Sequence, residues 1–147
     1  MNINTAYDEM LGLFRAAWVA GAGAYNGGTV PQVFWEGLGA EGEKPQEAPW
    51  ARATVRHASG EQATLRGDAG LIRWRRSGII TIQVFFPLKL GGLAPSRSLA
   101  RVAAAAYEGA STAGGAWFRN VRVTEIGPDG PWYNVNALAE FEYDELS

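Results

Sequence analysis

The chain has 147 residues, a formal net charge of −2 and no cysteine. This length suits one domain with a proper core, and a hydrophobic content of 47% excludes a disordered or fibrous chain. The lack of cysteine excludes disulfides and thiolate metal sites, and the slightly acidic balance argues against a surface dedicated to nucleic acid. No apolar run reaches the roughly 20 residues that span a bilayer, and the first residues lack a signal-peptide pattern, so we expect an intracellular protein without membrane contact.

The first third of the chain predicts one helix and two strands. Apolar residues recur at helical spacing over residues 7–18, and Thr5 is placed to cap the helix start. Residues 30–35 predict a short strand. Residues 36–49 are rich in Gly, Glu and Pro without periodicity, which predicts a flexible loop. Residues 50–57 alternate between small apolar and polar side chains, which predicts a strand with one buried face.

The middle of the chain predicts the centre of a sheet and a second helix. Residues 59–61 predict a turn, and the polar stretch 66–78 predicts a second flexible loop or arm. Residues 79–86 are apolar on both faces, which indicates a central strand or a strand buried by a partner. An alanine-rich helix follows, with Pro95 in its first turn.

The last third predicts two more strands. Residues 117–126 form one, a tight turn follows over 127–131, and the long alternating segment 133–143 forms the other. The sequence therefore predicts a single α+β domain over residues 1–147, with a mostly antiparallel sheet and two helices packed on one face.

Candidate catalytic motifs are weak. Residues 37–42 match G-x-G-x-x-G, but Pro45 and Pro49 follow where a phosphate-binding loop needs a helix. His57 is the only histidine and lacks an evident nucleophile beside it, so we interpret it as structural or partly exposed. Glu140 and Glu142 share a strand face, which we interpret as a solvated or partner-facing acidic surface. We therefore predict no enzyme activity, no metal and no cofactor.

The basic cluster Arg73–Arg76 leaves three interpretations open. Arginine beside tryptophan suits phosphates and stacked bases, so the cluster could serve a nucleic-acid-binding module. It could also be an ordinary exposed hairpin. Because Arg and Trp are enriched at interface hot spots, a protein-binding arm is the third interpretation.

Three segments taken together resemble a known family. They are the aromatic-led strand at 49–55, the run from 70 through the strand 78–87 to Gly91-Gly92, and the segment 132–137 that leads into residues 140–143. In this order, after an N-terminal helix, they resemble the tail-terminator family of long-tailed phages and gene-transfer agents. The resemblance covers nearly the whole chain.

The resemblance implies a structural virion protein of the phage tail, assembled in the bacterial cytoplasm as a hexameric ring. Such a ring caps the tail tube, terminates its polymerisation and presents the head–tail joining surface. The implied partners are other copies of the chain, the tail tube protein and a head-completion or connector protein, with DNA only passing through the lumen. A head–tail connector or a minor tail protein is the alternative within virions.

The expected interface residues combine the basic arm, apolar strand positions and acidic strand ends. A ring subunit must expose unlike patches that meet head to tail, and arginines and carboxylates would form complementary rims. The predicted subunit or tail-tube interface comprises Arg66, Arg73, Trp74, Arg75, Arg76, Ile79, Phe85, Trp132, Glu140 and Glu142.

Overall fold

The computed structural model describes residues 2–36, 47–62, 72–91 and 93–146, without the side chains of residues 59 and 146. The described chain contains two α-helices, two short 3-10 helices and one five-stranded sheet, which confirms the α+β class. The elements are α1 (Ile3–Gly21), α2 (Leu93–Ala105), β1 (Gln32–Trp35), β2 (Trp50–Gln62), β3 (Arg73–Pro87), β4 (Trp117–Asp129) and β5 (Trp132–Leu146), with 3-10 helices at Ala22–Tyr25 and Leu88–Leu90.

The sheet is mixed but mostly antiparallel. Its strand order is β1-β2-β3-β5-β4, and β1 with β2 is the one parallel pair among the described strands. The central strand β3 pairs with β5 along its whole length, from Arg73 opposite Leu146 to Pro87 opposite Trp132. The central position predicted for residues 79–86 from their two apolar faces is therefore confirmed.

Helix α1 begins two residues before the predicted cap. The Asn2 side chain accepts a hydrogen bond from the Thr5 backbone N–H at 2.8 Å, so Asn2 is the N-cap and the prediction of Thr5 was wrong. An asparagine oxygen three residues upstream satisfies an amide that has no helical partner. The helix then buries side chains at a strict spacing of four, namely Ala6, Met10, Phe14 and Trp18.

The main core joins both helices to alternate strand positions. Helix α2 contributes Leu99 and several alanines, whose small side chains let the helix approach β3 and β5 closely. The Tyr107 hydroxyl donates to the Met10 carbonyl oxygen at 2.9 Å and so connects α1 to the segment after α2. The strand members of this cluster define the first face of the sheet, and they include Ala51, Ala53, Val55, Ile80, Ile82, Val84, Val135, Ala137, Ala139, Phe141 and Tyr143.

The alternate residues form the second face of the sheet. A separate buried cluster lies there, made of Phe34, Trp50 and Phe85 with the half-buried Trp132 packed against it. Every described member of this second cluster comes from a strand. The predicted alternation of β2 is confirmed, because Ala51, Ala53 and Val55 are fully buried while the residues between them are not.

At the end of the sheet opposite the aromatic cluster, two segments that were predicted to be loops belong to strands. The predicted turn at 59–61 is part of β2, which continues to Gln62 after a register shift between His57 and Ser59. Residues 73–78 are not a loop but the start of β3, held by β2 on one side and β5 on the other. Long-range pairing overrides the weak local strand signal of this arginine-rich stretch. The G-x-G-x-x-G stretch 37–42 and Arg66 lie outside the described residues.

Gly78 permits the closest approach between strands. A Cβ atom at this position would lie 2.1 Å from the Arg56 carbonyl oxygen, 2.7 Å from Cζ of Phe141 and 2.8 Å from Cα of His57. Only glycine fits at this position, because no space is left for a Cβ atom. The position lies beside the register shift between His57 and Ser59 that lets β2 continue along β3.

Candidate interface surfaces

The aromatic cluster occupies one end of the second face. The Trp50 and Phe85 rings stack with centroids 4.2 Å apart, and Phe34 and Trp132 meet Trp50 edge-on at 5.4 and 5.9 Å. Phe85 is only 4% exposed, so its side chain is consumed by contacts within the chain rather than offered to a partner. Of the aromatic residues predicted for an interface, Phe85 is thus buried within the chain, whereas Trp132 stays half-buried at the edge of the cluster.

The basic strand start lies at the other end of the sheet. The Nε atoms of Arg73 and Arg75 each lie 3.8 Å from a carboxylate oxygen of Asp144, and both side chains are about half exposed. Arg73 and Arg75 point to the second face of the sheet. Both lie an even number of residues before Phe85 in β3, so strand alternation places their side chains on the same face as Phe85. Arg75 lies directly opposite Asp144 of β5. Both guanidinium groups are therefore partly exposed on the second face, beside the carboxylate of Asp144.

Arg76 is tied into the fold instead. Its Nε and Nη2 donate to Glu145 at 3.1 and 2.9 Å, and its guanidinium lies 5.4 Å from the Trp74 ring centroid. A Cβ atom at Gly60 would lie 2.2 Å from Nη1 of Arg76, because the Arg76 side chain crosses β2 directly over this glycine. The four residues of the basic cluster thus divide into an exposed pair and a structural pair.

The acidic strand positions are compensated by arginines of β4. Glu140 lies 3.3 Å from Arg122 and 3.8 Å from Arg119, and Glu142 lies 3.3 Å from Arg119. The register explains this arrangement, since Arg119 sits directly opposite Glu140 on the neighbouring strand. Ile79, opposite Glu140 on the other side, is half-buried on the same face. The second face is therefore a mixed-charge surface rather than an acidic one.

His57 belongs to a hydrogen-bonded aromatic group on the first face. The Tyr143 hydroxyl and His57 Nε2 are 2.7 Å apart, and the imidazole packs against Tyr7 and Phe141 with ring centroids 5.6 and 5.1 Å away. Burial, helped by the charge of Arg76, lowers the pKa of His57, and burial raises the pKa of Tyr143 to about 12. These directions favour a neutral imidazole whose Nε2 accepts a hydrogen bond from the Tyr143 hydroxyl.

A groove opens beside the exposed indole of Trp117, at the basic end of the sheet. It has a volume of about 340 Å³ and is lined by Arg75, Gly114, Gly115, Trp117, Glu142, Tyr143 and Asp144. Trp117 is 44% exposed and lies opposite Glu142, with the Arg119 guanidinium 5.6 Å from its ring. We call this feature the Trp117 groove.

An apolar turn projects from the opposite end of β3. Residues 88–91 together with Leu93, which we call the leucine turn, expose Leu88, Leu90 and Leu93 by 40%, 53% and 49%. Backbone bonds from Leu88 N–H to the Pro131 carbonyl and from Gly91 N–H to the Leu88 carbonyl hold the turn, with Gly91 in the left-handed region at φ 76°. This surface was not among the predicted interface residues, although Leu88, Leu90 and Leu93, which flank Lys89 directly after Pro87, are a signal visible in the sequence.

The described residues form neither a metal-binding cluster nor a membrane-spanning helix. In that part of the chain no three His, Cys, Asp or Glu side chains come together as a metal site would require. Neither described helix is long and apolar enough to cross a bilayer.

Comparisons with known proteins concern the fold alone. No protein-family model matches the chain, and no curated protein matches it. Seven chains of solved structures are similar. One of them, a protein designated only by a serial identifier, aligns with a TM-score of 0.59 and 16% sequence identity, over 93% of this chain and 94% of its own length. This likeness shows that the described α+β fold occurs as a whole in another protein.

Proposed function

We propose that this chain is a ring-forming structural subunit of a phage-type tail, a tail terminator that caps the tail tube and joins it to the head. The order of the three segments in the sequence resembles that family, and the α+β fold agrees with what the resemblance implies. The proposed ring is hexameric, its partners are the tube protein and a head-completion or connector protein, and its place is the virion tail.

We infer further that both helices cover the first face of the sheet. The Tyr7 hydroxyl of α1 donates to the Val55 carbonyl oxygen at 3.0 Å, and Phe14 meets the Trp35 ring of β1 at 5.7 Å between centroids. The buried residues of α2 join the same cluster as Ile80 and Val135. This layering would leave the second face and the two ends of β3 for neighbouring subunits and for the tube.

The leucine turn is the observation that carries the proposal. Three leucines within six residues keep 40–53% of their surface exposed, on a turn fixed by backbone hydrogen bonds. Exposed apolar side chains concentrated in one segment are typical of a surface that another protein covers. A ring subunit needs such a patch to meet an unlike patch on its neighbour, because repeated head-to-tail contacts close a ring by rotation.

Assembly and tube capping test the proposal together. Light scattering over a concentration series gives the molar mass in solution, and negative-stain imaging shows whether closed rings of about six subunits form. The purified chain is then added to polymerising tail tube protein of the same particle. A tail terminator should bind the tube tip and shorten the tubes, and a chain that forms no ring and leaves tube length unchanged would refute the proposal.

The same experiment separates the alternatives. A head–tail connector or a minor tail protein would bind the head vertex or the tail flank while leaving tube length unchanged. A nucleic-acid-binding module acting through Arg73 and Arg75 would bind DNA with an affinity that falls steeply with salt, because phosphate contacts release counterions. The carboxylate of Asp144 beside both arginines weighs against that third function.

A further inference from the structure

The outward face of α1 lacks the charges that usually cover an exposed helix. From Gly12 to the helix end at Gly21, every exposed residue is small or apolar except Arg15. Val19 on this face is 61% exposed, more than any other large apolar side chain of the described residues. Because a surface helix normally turns charged residues to water, this face has the composition of one that another protein covers.

A groove runs beside this face, between α1 and the Trp35 side chain of β1. Its volume is about 400 Å³, and the half-buried Leu11 and Trp35 form its apolar wall. Gly12 also lines the groove, and a Cβ atom there would meet nothing within 4 Å. The fold of the single chain therefore does not require glycine at this position, although glycine destabilises a helix interior relative to alanine. The missing side chain lets a second helix approach α1 closely.

Two charged residues at this groove, Asp8 and Arg15, have no partner within the described part of the chain. Both side chains line the groove, and neither forms an ion pair with another described residue. The other charged residue there, Glu36, is held by Arg56 and by the Val55 backbone N–H. Of the described residues at the groove, Asp8 is therefore the carboxylate available to a cation, and Arg15 is the cation available to a carboxylate.

The spacing of these two charges is self-complementary in an antiparallel pair of α1 helices. Gly12 is the middle residue of Ile3–Gly21, so two helices that cross there overlap along their whole length. Asp8 lies four residues before Gly12 and Arg15 three residues after it, which is about 6 Å and about 4.5 Å along the axis. In an antiparallel pair, Arg15 of one copy therefore lies within about 1.5 Å of the height of Asp8 in the other. A parallel pair would bring like charges together instead.

We propose that two copies of this chain associate through antiparallel α1 helices that cross at Gly12. Each copy inserts Arg15 into the groove of the other, where its guanidinium meets Asp8 and its aliphatic stem lies along the apolar wall. Val19 packs beside Thr5 of the other copy, at the same height along the axis. The contact is isologous, so each pairing occurs twice and association through it stops at two copies. This contact goes beyond the proposed function, because a ring closes through heterologous contacts elsewhere on the subunit.

Mixing two charge-reversed variants tests the pairing. Asp8→Arg leaves two cations on the face and Arg15→Asp leaves two anions, so each variant alone opposes like charges twice. Each should dimerise at least about tenfold more weakly than the wild type. A one-to-one mixture should dimerise like the wild type, because every cation then meets a carboxylate. Sedimentation equilibrium gives the dissociation constants, and a mixture no tighter than the single variants would overturn the inference.

The chain that carries both reversals provides a second check of the same pairing. Its charges have only exchanged places, so its dimerisation should return to the wild-type strength. Recovery in this chain requires that position 8 of one copy meets position 15 of the other. A double variant as weak as the single ones would refute the antiparallel arrangement.

A further variant tests the apolar part of the contact. Val19→Arg places a cation opposite the helix N-terminus of the second copy, where the helix dipole disfavours it, and should weaken association by about tenfold or more. The matched control is Ile126→Arg, because Ile126 is 58% exposed but lies on β4, at the edge of the sheet opposite β1. This control should associate like the wild type. Circular dichroism melting of every variant verifies that the fold is retained.

The masses of the assemblies separate this contact from the proposed ring. Where rings form, the α1 contact joins two of them, so the largest wild-type assembly in light scattering should have twice the mass of the Val19→Arg assembly. Equal masses would overturn the α1 contact while leaving ring formation in place. A wild-type chain that stays monomeric up to its solubility limit would also overturn it, whereas shortened tail tubes would still support the tail-terminator function. Wild-type dimers without rings or shortened tubes would support the α1 contact and refute that function.

Discussion

Replacing Gly78 with alanine tests how tightly β2 and β3 are joined at the register shift. The added methyl carbon would lie 2.1 Å from the Arg56 carbonyl oxygen and 2.7 Å from the Phe141 ring. To reach ordinary contact distances, the methyl carbon would have to lie about 1 Å or more farther from each of these atoms. The carbonyl belongs to the paired backbone of β2, so no side-chain rotation relieves the clash, and the two strands must move apart locally.

We expect Gly78→Ala to lower the free energy of unfolding by about 3 kcal/mol, at the upper end of the cost of overpacking a well-filled site. Urea denaturation followed by far-ultraviolet circular dichroism measures the change. Gly12→Ala is the matched control, because a Cβ at that helical position meets nothing within 4 Å. It should instead stabilise the protein by up to about 1 kcal/mol, as alanine does when it replaces glycine inside a helix.

A second comparison isolates the role of the backbone atom. A Cβ at Gly60 would lie 2.2 Å from Nη1 of Arg76, which belongs to a side chain; its rearrangement disturbs the pair with Glu145 but leaves the backbone pairing of the strands intact. Gly60→Ala should therefore cost much less than Gly78→Ala, even though the two initial distances are nearly equal. A Gly78→Ala variant within about 0.5 kcal/mol of the wild type would refute the reasoning, since changes of that size are typical of unconstrained surface sites.

The other predictions concern tyrosines and pH. Tyr107→Phe should cost about 1–2 kcal/mol in urea denaturation, because it removes the buried hydrogen bond to the Met10 carbonyl oxygen, and an unchanged midpoint would contradict this. Tyr143→Phe should cost about 1 kcal/mol through the lost bond to His57. Because the folded-state pKa of His57 is lowered, the unfolded chain binds more protons below the ordinary value of about 6.5. The free energy of unfolding should therefore fall as the pH drops through that value. It should fall less in His57→Gln, which loses stability only through its carboxylates. Equal losses in both proteins would contradict the lowered pKa of His57.

The sequence predicted the strands that carry their own alternating pattern. β5 and the centre of β3 have apolar residues at every second position, so their place and buried face follow from local sequence. The first residues of β3 lack such a pattern. Arg73 and Arg75 are in a strand because β2 and β5 pair with them from both sides, and single-segment periodicity contains no information on such partners.

The candidate surfaces were predicted less well for a related reason. Phe85 looked available because apolar residues lie on both faces of its strand, but Trp50 from a distant segment stacks on it, and Phe34 packs against Trp50 in turn. Glu140 and Glu142 looked like an acidic rim, but the register of β4 places Arg119 beside both carboxylates. Which side chains are left over for a partner depends on cross-strand neighbours, and these are known only once the strands are in register.

The strand order also bears on how the chain folds during synthesis. β3 is central, yet one of its neighbours, β5, begins at Trp132, after α2 and β4 have been made. Until β5 leaves the ribosome, the most apolar strand of the protein exposes an unpaired edge, which is a template for aggregation. Pairings such as Gly78 with Phe141 join distant parts of the chain, and such contacts form slowly. Nascent chains stalled before Trp132 should therefore depend on chaperones.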